Sequence, residues 1–407
     1  MYIFKAGVVG AGTMGGEIAQ VISYSGLPVV MKDIDQKMLE VGMQKVRSIY
    51  QSRVDKGKMS ASDMQSKLDL ITPTLTYEGF EDTDIVIEAV PEVMDIKKRV
   101  LRELEEVCPE ATIFASNTSA LSISEMGAAT RKPHKVIGMH FFNPAHVMKL
   151  VEIVPGLDTD PDTVDDLVMF TESLRKLPVV VQECPGFLVN RLLMPYLNEA
   201  TMCLEEGAAS AREIDETMVK WGWPMGPFTL MDMLGLDVCA HVGDYLAEEY
   251  GERMESAWLM PRLVKIGRLG EKSSAGFYGY GDQSDEPTLR LIDQIKEEKA
   301  IPDSQFSPER LVYPLINEAT LCVQEHIAGV TDIDMAMIAG TGMTYAGERM
   351  GPLAVADLIG LDVVLEGIQA FQAKYGQRFR PSRLLKLKVR AGHLGKKAGK
   401  GFHEYTT

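Results

Sequence analysis

Ile3-Phe4-Lys5-Ala6-Gly7-Val8-Val9-Gly10-Ala11-Gly12-Thr13-Met14-Gly15-Gly16 passes from a short apolar run through a glycine-rich turn into a helical pattern over Glu17 to Ser25. A strand, a G-x-G-x-x-G turn and a helix in that order form the signature of a dinucleotide-binding βαβ unit. Gly10 permits the tight turn, Gly12 lets the backbone approach a pyrophosphate, and Gly15 allows the helix to pack closely on the strand. The helix opens at Thr13 and Met14, where free amides and a partial positive charge face the phosphates. Gly10, Gly12, Thr13, Met14 and Gly15 are therefore the expected cofactor contacts.

The chain downstream repeats that alternation. Gly26 ends the first helix, and Pro28 to Asp33 reads as the second strand. Asp33 stands at its end, close to the spacing expected of an acid that binds the ribose hydroxyls and repels a 2′-phosphate. That favours NAD over NADP, with Asp35 as a solvated turn residue. Residues 36–70 read as helical, and their basic residues Lys45, Arg47, Arg53, Lys56 and Lys58 read as a solvated face or, in an otherwise acidic chain, as a local excess that meets a phosphorylated ligand. Asp84 to Val90 and Thr112 to Ser116 read as buried strands with a helix between them. Strands alternating with helices specify an α/β doubly wound parallel sheet, its ligand crevice at the C-terminal strand ends.

One histidine falls at that edge. Ile137-Gly138-Met139 ends in His140, and the next apolar run carries Glu152. A carboxylate on one imidazole nitrogen fixes the tautomer and raises the basicity of the other, which is the minimal design of a general base. Ser119 and Asn143 lie at the same edge. His134 and His146 have no metal-ligand spacing with His140 and read as surface or loop residues, so no metal is expected.

Composition sets the bounds. The 407 residues suggest two or three domains, and a net charge of −16 argues against nucleic acid or an anionic membrane as partner. No apolar run approaches the ~20 residues of a membrane span, and no signal-peptide pattern appears. The five cysteines lack a CxxC pair and read as thiols in a reducing cytoplasm.

The C-terminal half is a repeat. Arg191-Leu192-Leu193-Met194-Pro195-Tyr196-Leu197-Asn198-Glu199-Ala200-Thr201 recurs as Arg310-Leu311-Val312-Tyr313-Pro314-Leu315-Ile316-Asn317-Glu318-Ala319-Thr320. Met225-Gly226-Pro227 recurs as Met350-Gly351-Pro352, and Gly235-Leu236-Asp237-Val238 as Gly360-Leu361-Asp362-Val363. An internal duplication of this kind means two helical units that stack on each other. The expected organisation is a nucleotide-binding domain over 1–183, a first helical copy over 184–281, a linker with one helix over 282–305, and a second copy over 306–407. Glu309 stands where the first copy has Asn190, so the second copy is expected to be structural.

The glycine motif, Ser116-Asn117-Thr118-Ser119, His140-Phe141-Phe142-Asn143-Pro144, Met148 to Glu152, and Pro185-Gly186-Phe187-Leu188-Val189-Asn190-Arg191 together resemble the 3-hydroxyacyl-CoA dehydrogenase family along essentially the whole chain. The resemblance implies NAD-dependent oxidation of (S)-3-hydroxyacyl-CoA esters, with His140 as base, Glu152 as its orienting partner, and Ser119 and Asn190 on the substrate. It also implies cofactor contacts from Asp33, Glu92, Lys97, Asn143 and Lys272, with Lys97 also reaching the coenzyme A ester. Ala120 replaces a second serine that the family often carries. The arrangement is similar to the dehydrogenase part of multifunctional fatty-acid oxidation enzymes and implies a monomer with an internal pseudo-dimer, or a homodimer. Two rivals share the nucleotide fold. A 2-hydroxyacid or sugar-acid dehydrogenase has no need of the His140–Glu152 spacing with Asn190. A non-catalytic NAD-binding protein has no need of the set Ser119, His140, Glu152 and Asn190.

Overall fold

The computed structural model describes residues 2–301 and 304–405. Residues 302 and 303 of the expected linker, and residues 1, 406 and 407 of the outer domains, lie outside it. The chain forms two compact units, Met1–Phe187 and Leu188–Thr407.

The first unit runs β1 (Ala6–Val9), α1 (Thr13–Tyr24), β2 (Val29–Lys32), α2 (Gln36–Asp55), α3 (Ala61–Leu68), β3 (Ile71–Thr74), β4 (Ile85–Glu88), α4 (Met94–Glu105), β5 (Ile113–Ser116), α5 (Ile123–Gly127), β6 (Val136–Phe141), β7 (Leu150–Pro155), α6 (Pro161–Ser173) and β8 (Leu177–Val180). The strands form one sheet in the order β3-β2-β1-β4-β5-β6-β7-β8. Every residue of β1, β2, β4 and β5 is buried, as strands covered by helices on both faces must be.

The expected doubly wound sheet is present and mostly parallel, with one exception. β6 and β7 pair antiparallel, while every other neighbouring pair is parallel. The connection over 142–149 is too short for the crossover of about a dozen residues that a parallel pair requires. The helical span expected over 36–70 is also two helices. Asp35 caps α2 through the Lys37 amide, the chain turns at Gly57, and Ser60 caps α3 through the Asp63 amide.

The second unit runs α7 (Val189–Glu205), α8 (Ala211–Trp221), α9 (Pro227–Leu234), α10 (Leu236–Tyr250), α11 (Leu259–Lys265), α12 (Glu286–Lys299), α13 (Pro308–Gln324), α14 (Val330–Thr341), α15 (Pro352–Ile359), α16 (Leu361–Tyr375) and α17 (Arg383–Arg390). Helices α13–α17 repeat α7–α11 in order and near-equal length, and α12 lies between the copies. Buried carboxylates repeat too. Asp215 accepts from the amides of Phe228 (2.9 Å) and Thr229 (3.0 Å), as Asp334 does from Leu353 (2.8 Å) and Ala354 (3.0 Å). Asp232 accepts from the Phe277 and Tyr278 amides, and Asp357 from those of Phe402 and His403.

The copies face each other through α7 and α13. Arg191 Nε donates to Glu318 at 2.8 Å, and Arg310 Nε donates to Glu199 at 2.7 Å. Each of these buried arginines reaches a second carboxylate, Glu325 or Glu206, and lies over a tyrosine ring, Tyr250 or Tyr375. One set of contacts, made twice with the partners exchanged, is the signature of a two-fold interface.

Candidate active site

The turn after β1 is shaped by contacts that exclude side chains. Gly10 has φ +100°, and a Cβ there would lie 2.5 Å from the Ala89 carbonyl oxygen. A Cβ on Gly15 would lie 1.7 Å from the Gly10 oxygen, so glycine is obligatory where α1 meets the strand end. Gly12 differs: a Cβ there would meet only Met38 Cε, at 4.0 Å. Open space at Gly12, and an α1 N-terminus with no side-chain cap, suit an anionic pyrophosphate. Asp33, at the end of β2, accepts from the Ala11 amide at 2.7 Å and the Ile34 amide at 2.8 Å. The carboxylate is thereby fixed beside the glycine turn.

The next strand ends carry a buried charge network. Glu88 closes β4 fully buried, and accepts from Lys97 Nζ (2.9 Å), Ser116 Oγ (2.6 Å) and the Val90 amide (2.7 Å). Lys97 is also buried and pairs with Glu92 at 3.2 Å. Glu92 accepts from Thr118 Oγ1 at 2.5 Å and the Ser119 amide at 2.9 Å. Burial opposes ionisation of Glu92, but Lys97, Thr118 and Ser119 outweigh it and hold its carboxyl below the usual range. Lys97 therefore sits as a clamp between two acids, and Ser119 is tied to one of them.

His140 lies near the C-terminal end of β6, at the same sheet edge as the Gly10 turn. It stands directly opposite Glu152 in the antiparallel register, with Nδ1 2.7 Å from Glu152 Oε2. Glu152 is fully buried and His140 nearly so, flanked by the rings of Phe142 and Phe187. Asn117, at the end of β5, accepts from the Phe141 amide at 2.9 Å and ties the two strand ends together. Asn143 is exposed in the following loop. Lys176 donates to the Ala145 and Met148 oxygens of that loop at 2.5 and 2.6 Å. Burial pushes its pKa down to about 8, against an upward pull from Glu17.

Residue types and spacing did not single out Glu88 or Lys176, and Ser116 and Asn117 entered only as members of the Ser116-Asn117-Thr118-Ser119 motif, without roles of their own. Only Glu88 carried a signal: an acid closing a fully apolar strand must have a partner, and Lys97 follows one helix turn into α4. His146 is an exposed loop residue paired with buried Glu17 at 3.3 Å. Asn190 is the second residue of α7, in the other unit. Lys272 pairs with Asp237 as Lys397 pairs with Asp362 in the second copy, so the observed contact belongs to the repeat itself. No cluster of three metal-ligating side chains occurs among the described residues, and no helix there is long and apolar enough to cross a membrane.

Comparison with known proteins follows the same division. Residues 5–184 match the family model described as 3-hydroxyacyl-CoA dehydrogenase, NAD binding domain. Residues 186–280 and 306–405 each match that of the 3-hydroxyacyl-CoA dehydrogenase C-terminal domain. The fatty acid oxidation complex subunit alpha of Psychrobacter arcticus is 40% identical over 372 residues, covering 88% of this chain and 51% of that protein. The chain thus spans about half the length of the named relatives it matches. A 3-hydroxybutyryl-CoA dehydrogenase structure from Escherichia coli K12 aligns with a TM-score of 0.85 at 30% identity, covering 96% of this chain and 99% of the other. An (S)-3-hydroxybutyryl-CoA dehydrogenase from Ralstonia eutropha aligns at 0.67 and 41% identity, over 69% of this chain and all of that one.

Proposed function

The chain belongs to the 3-hydroxyacyl-CoA dehydrogenase family, and we propose that it catalyses the reversible NAD-dependent oxidation of (S)-3-hydroxyacyl-CoA esters to 3-oxoacyl-CoA. The reading rests above all on the His140–Glu152 pair. NAD, when bound, supplies the hydride acceptor. This chain supplies the proton chemistry, the positioning and the anion site.

Nδ1 of His140 is engaged by Glu152, which leaves Nε2 to take the 3-hydroxyl proton during oxidation. The carboxylate then stabilises the imidazolium, which in the reverse direction returns the proton to the 3-keto oxygen. The Phe142 and Phe187 rings keep the imidazole surroundings apolar. Ser119 and Asn190 are the proposed hydrogen-bond donors to the substrate oxygens. They hold the reacting carbon in line, where about 1 Å of misplacement is costly.

The α1 N-terminus and the Gly12 face are the proposed pyrophosphate site, and Asp33 is the proposed ribose acid. Glu92 is proposed to take part on the cofactor side, with Lys97 fixing its carboxylate. Asn143 and Lys272 complete the proposed cofactor set. The family's alcohol chemistry and the coenzyme A esters named for its relatives support the substrate class, in fatty-acid oxidation or butanoate-type metabolism.

NADH oxidation with acetoacetyl-CoA tests the proposal directly. The unmodified protein should turn over, and His140→Gln should lose about 10²–10⁴-fold in kcat, the usual contribution of a general base. NADH affinity should stay within a few-fold. Near-normal turnover in that variant would remove the central claim.

A further inference from the structure

The two helical copies share a fold but not a charge. Over 369–401 the second copy has ten lysines and arginines and no acid, whereas the matching residues 244–276 of the first copy have five and six acids. Both stretches fold into the end of one helix, a short connection and a second helix, as α10 and α11 or as α16 and α17. The architecture therefore does not require these cations. Four residues of α17 stand out. Arg383, Lys386, Leu387 and Arg390 lie at i, i+3, i+4 and i+7, which places them on one side of the helix, opposite buried Leu385. Leu387 is 47% exposed, and Arg383, Lys386 and Arg390 have no acidic partner among the described residues. Like charges one turn apart weaken a helix, and Arg383 at its first position opposes the dipole. The stripe thus costs α17 stability, and the described chain does not answer it.

The first copy shows what belongs on this side. By repeat register Arg383 corresponds to Trp258, Leu384 to Leu259 and Leu387 to Arg262. There α12 packs along α11: Glu298 pairs with Arg262, and Lys299 lies over the Trp258 ring at 4.9 Å. The inner side of α12 carries buried Ile292 and Ile295. Leu259 is fully buried, whereas its counterpart Leu384 is half-exposed. In the second copy α13 and α16 pack on α17, and the side that α12 covers on α11 stays open.

Charge decides what the occupant carries. Two arginines and a lysine around an exposed leucine call for carboxylates around an apolar face, which is the pattern of an acidic amphipathic helix. Length decides its form. At 1.5 Å per residue α17 is about 12 Å long, enough for one crossing helix. A nucleic acid or an anionic bilayer would extend beyond it over the remainder of a chain whose net charge is −16, and would be repelled there.

We propose that the Arg383, Lys386, Leu387 and Arg390 side of α17 docks an acidic amphipathic helix of a partner protein, in the way that α11 docks α12 within the chain. None of these residues is among those assigned above to hydride transfer, so the inference stands apart from that reaction.

The probe is a fluorescein-labelled peptide of residues 285–300 made acidic by Arg290→Glu, Lys296→Glu and Lys299→Glu, with its anisotropy titrated by the full chain. Saturable binding of one peptide per chain is expected, weakened at least about fivefold between 50 and 200 mM salt as exposed charges become screened. Arg383→Glu, Lys386→Glu and Arg390→Glu together should weaken it at least about tenfold, since three attractions become repulsions, while acetoacetyl-CoA turnover stays within twofold. An equally acidic peptide that also carries Ile292→Ser and Ile295→Ser should bind at least about fivefold more weakly, having lost its apolar face. Absence of saturable binding to the unmodified chain overturns the proposal, whether or not the triple variant folds. Unchanged affinity in a folded triple variant overturns it as well, because the peptide would then be displacing α12 from α11 or binding elsewhere. Equal binding of the serine peptide overturns the amphipathic assignment. A single-stranded oligonucleotide or phosphatidylglycerol vesicles bound more tightly than the peptide would overturn the choice of a protein helix.

Discussion

His140 and Glu152 are direct partners across the single antiparallel pair of an otherwise parallel sheet. That pairing supports the 2.7 Å Nδ1–Oε2 contact from both backbones, so the imidazole is oriented by strand register and not by a loop. Glu152→Gln keeps the shape but removes the charge that stabilises the imidazolium. We expect kcat to fall about 10²–10³-fold, within the range of general-base losses, with acyl-CoA and NADH affinities changing little. Steady-state kinetics in both directions check this. A loss confined to KM would show that Glu152 serves binding instead.

Asp33 governs cofactor choice in this reading, and its geometry adds a qualification. The carboxylate already accepts from Ala11 and Ile34, so its removal also loosens the glycine turn. NADH should outperform NADPH in kcat/KM by at least about tenfold. Asp33→Ser should narrow that ratio chiefly by weakening NADH, since the serine leaves amides unpaired and brings no cation for a 2′-phosphate. Equal efficiency with both cofactors in the unmodified chain would contradict the assignment.

The sequence spoke most clearly where chemistry and local geometry coincide. The glycine turn was legible because only glycine fits where Gly10 meets Ala89 and Gly15 meets Gly10. His140 and Glu152 were legible because each interrupts an apolar strand. β3 was not, because it is a partly exposed edge strand carrying Pro73, and edge strands lack the continuous apolar run of buried ones. The Glu88–Lys97–Glu92 network was legible only in part: Glu92 and Lys97 were expected at the cofactor, but their junction with Glu88 is made by the folding of α4 against the end of β4.

Glu205 makes the stability of the second unit depend on pH. It is buried and accepts from the Leu259 amide, and burial pushes its pKa up to about 7 from an ordinary 4.5. The folded state therefore binds this proton more tightly than the unfolded state does. Its contribution is fully present below about pH 4.5 and is lost as pH rises through 7. Glu205→Gln keeps an acceptor for Leu259 and cannot ionise. The variant should gain on the parent as pH rises from 5 to 8, by on the order of 2 kcal/mol, or several degrees in Tm. Calorimetric scans at the two pH values decide; a difference independent of pH would show that Glu205 does not titrate in this range.

Arg191 and Arg310 hold the two copies together by equivalent contacts, and that equivalence is testable. Each is buried, each donates through Nε to a buried glutamate of the opposite copy, and each lies over a tyrosine. A second arginine assists at both places: Arg253 beside Glu318 and Arg378 beside Glu199. Removing one member of a buried pair strands the other's charge, at a cost of about 3–5 kcal/mol, whereas replacing both members by apolar groups is often neutral. Arg191→Met and Arg310→Met should each lower the stability of the second unit by about 3 kcal/mol or somewhat less, since the assisting arginines remain. Arg191→Met combined with Glu318→Leu should recover part of that loss. Urea unfolding, followed through the transition of the helical unit, gives all three values. If Arg310→Met destabilises and Arg191→Met costs under about 0.5 kcal/mol, the two-fold resemblance is one of shape alone, and the copies are joined by one pair rather than two.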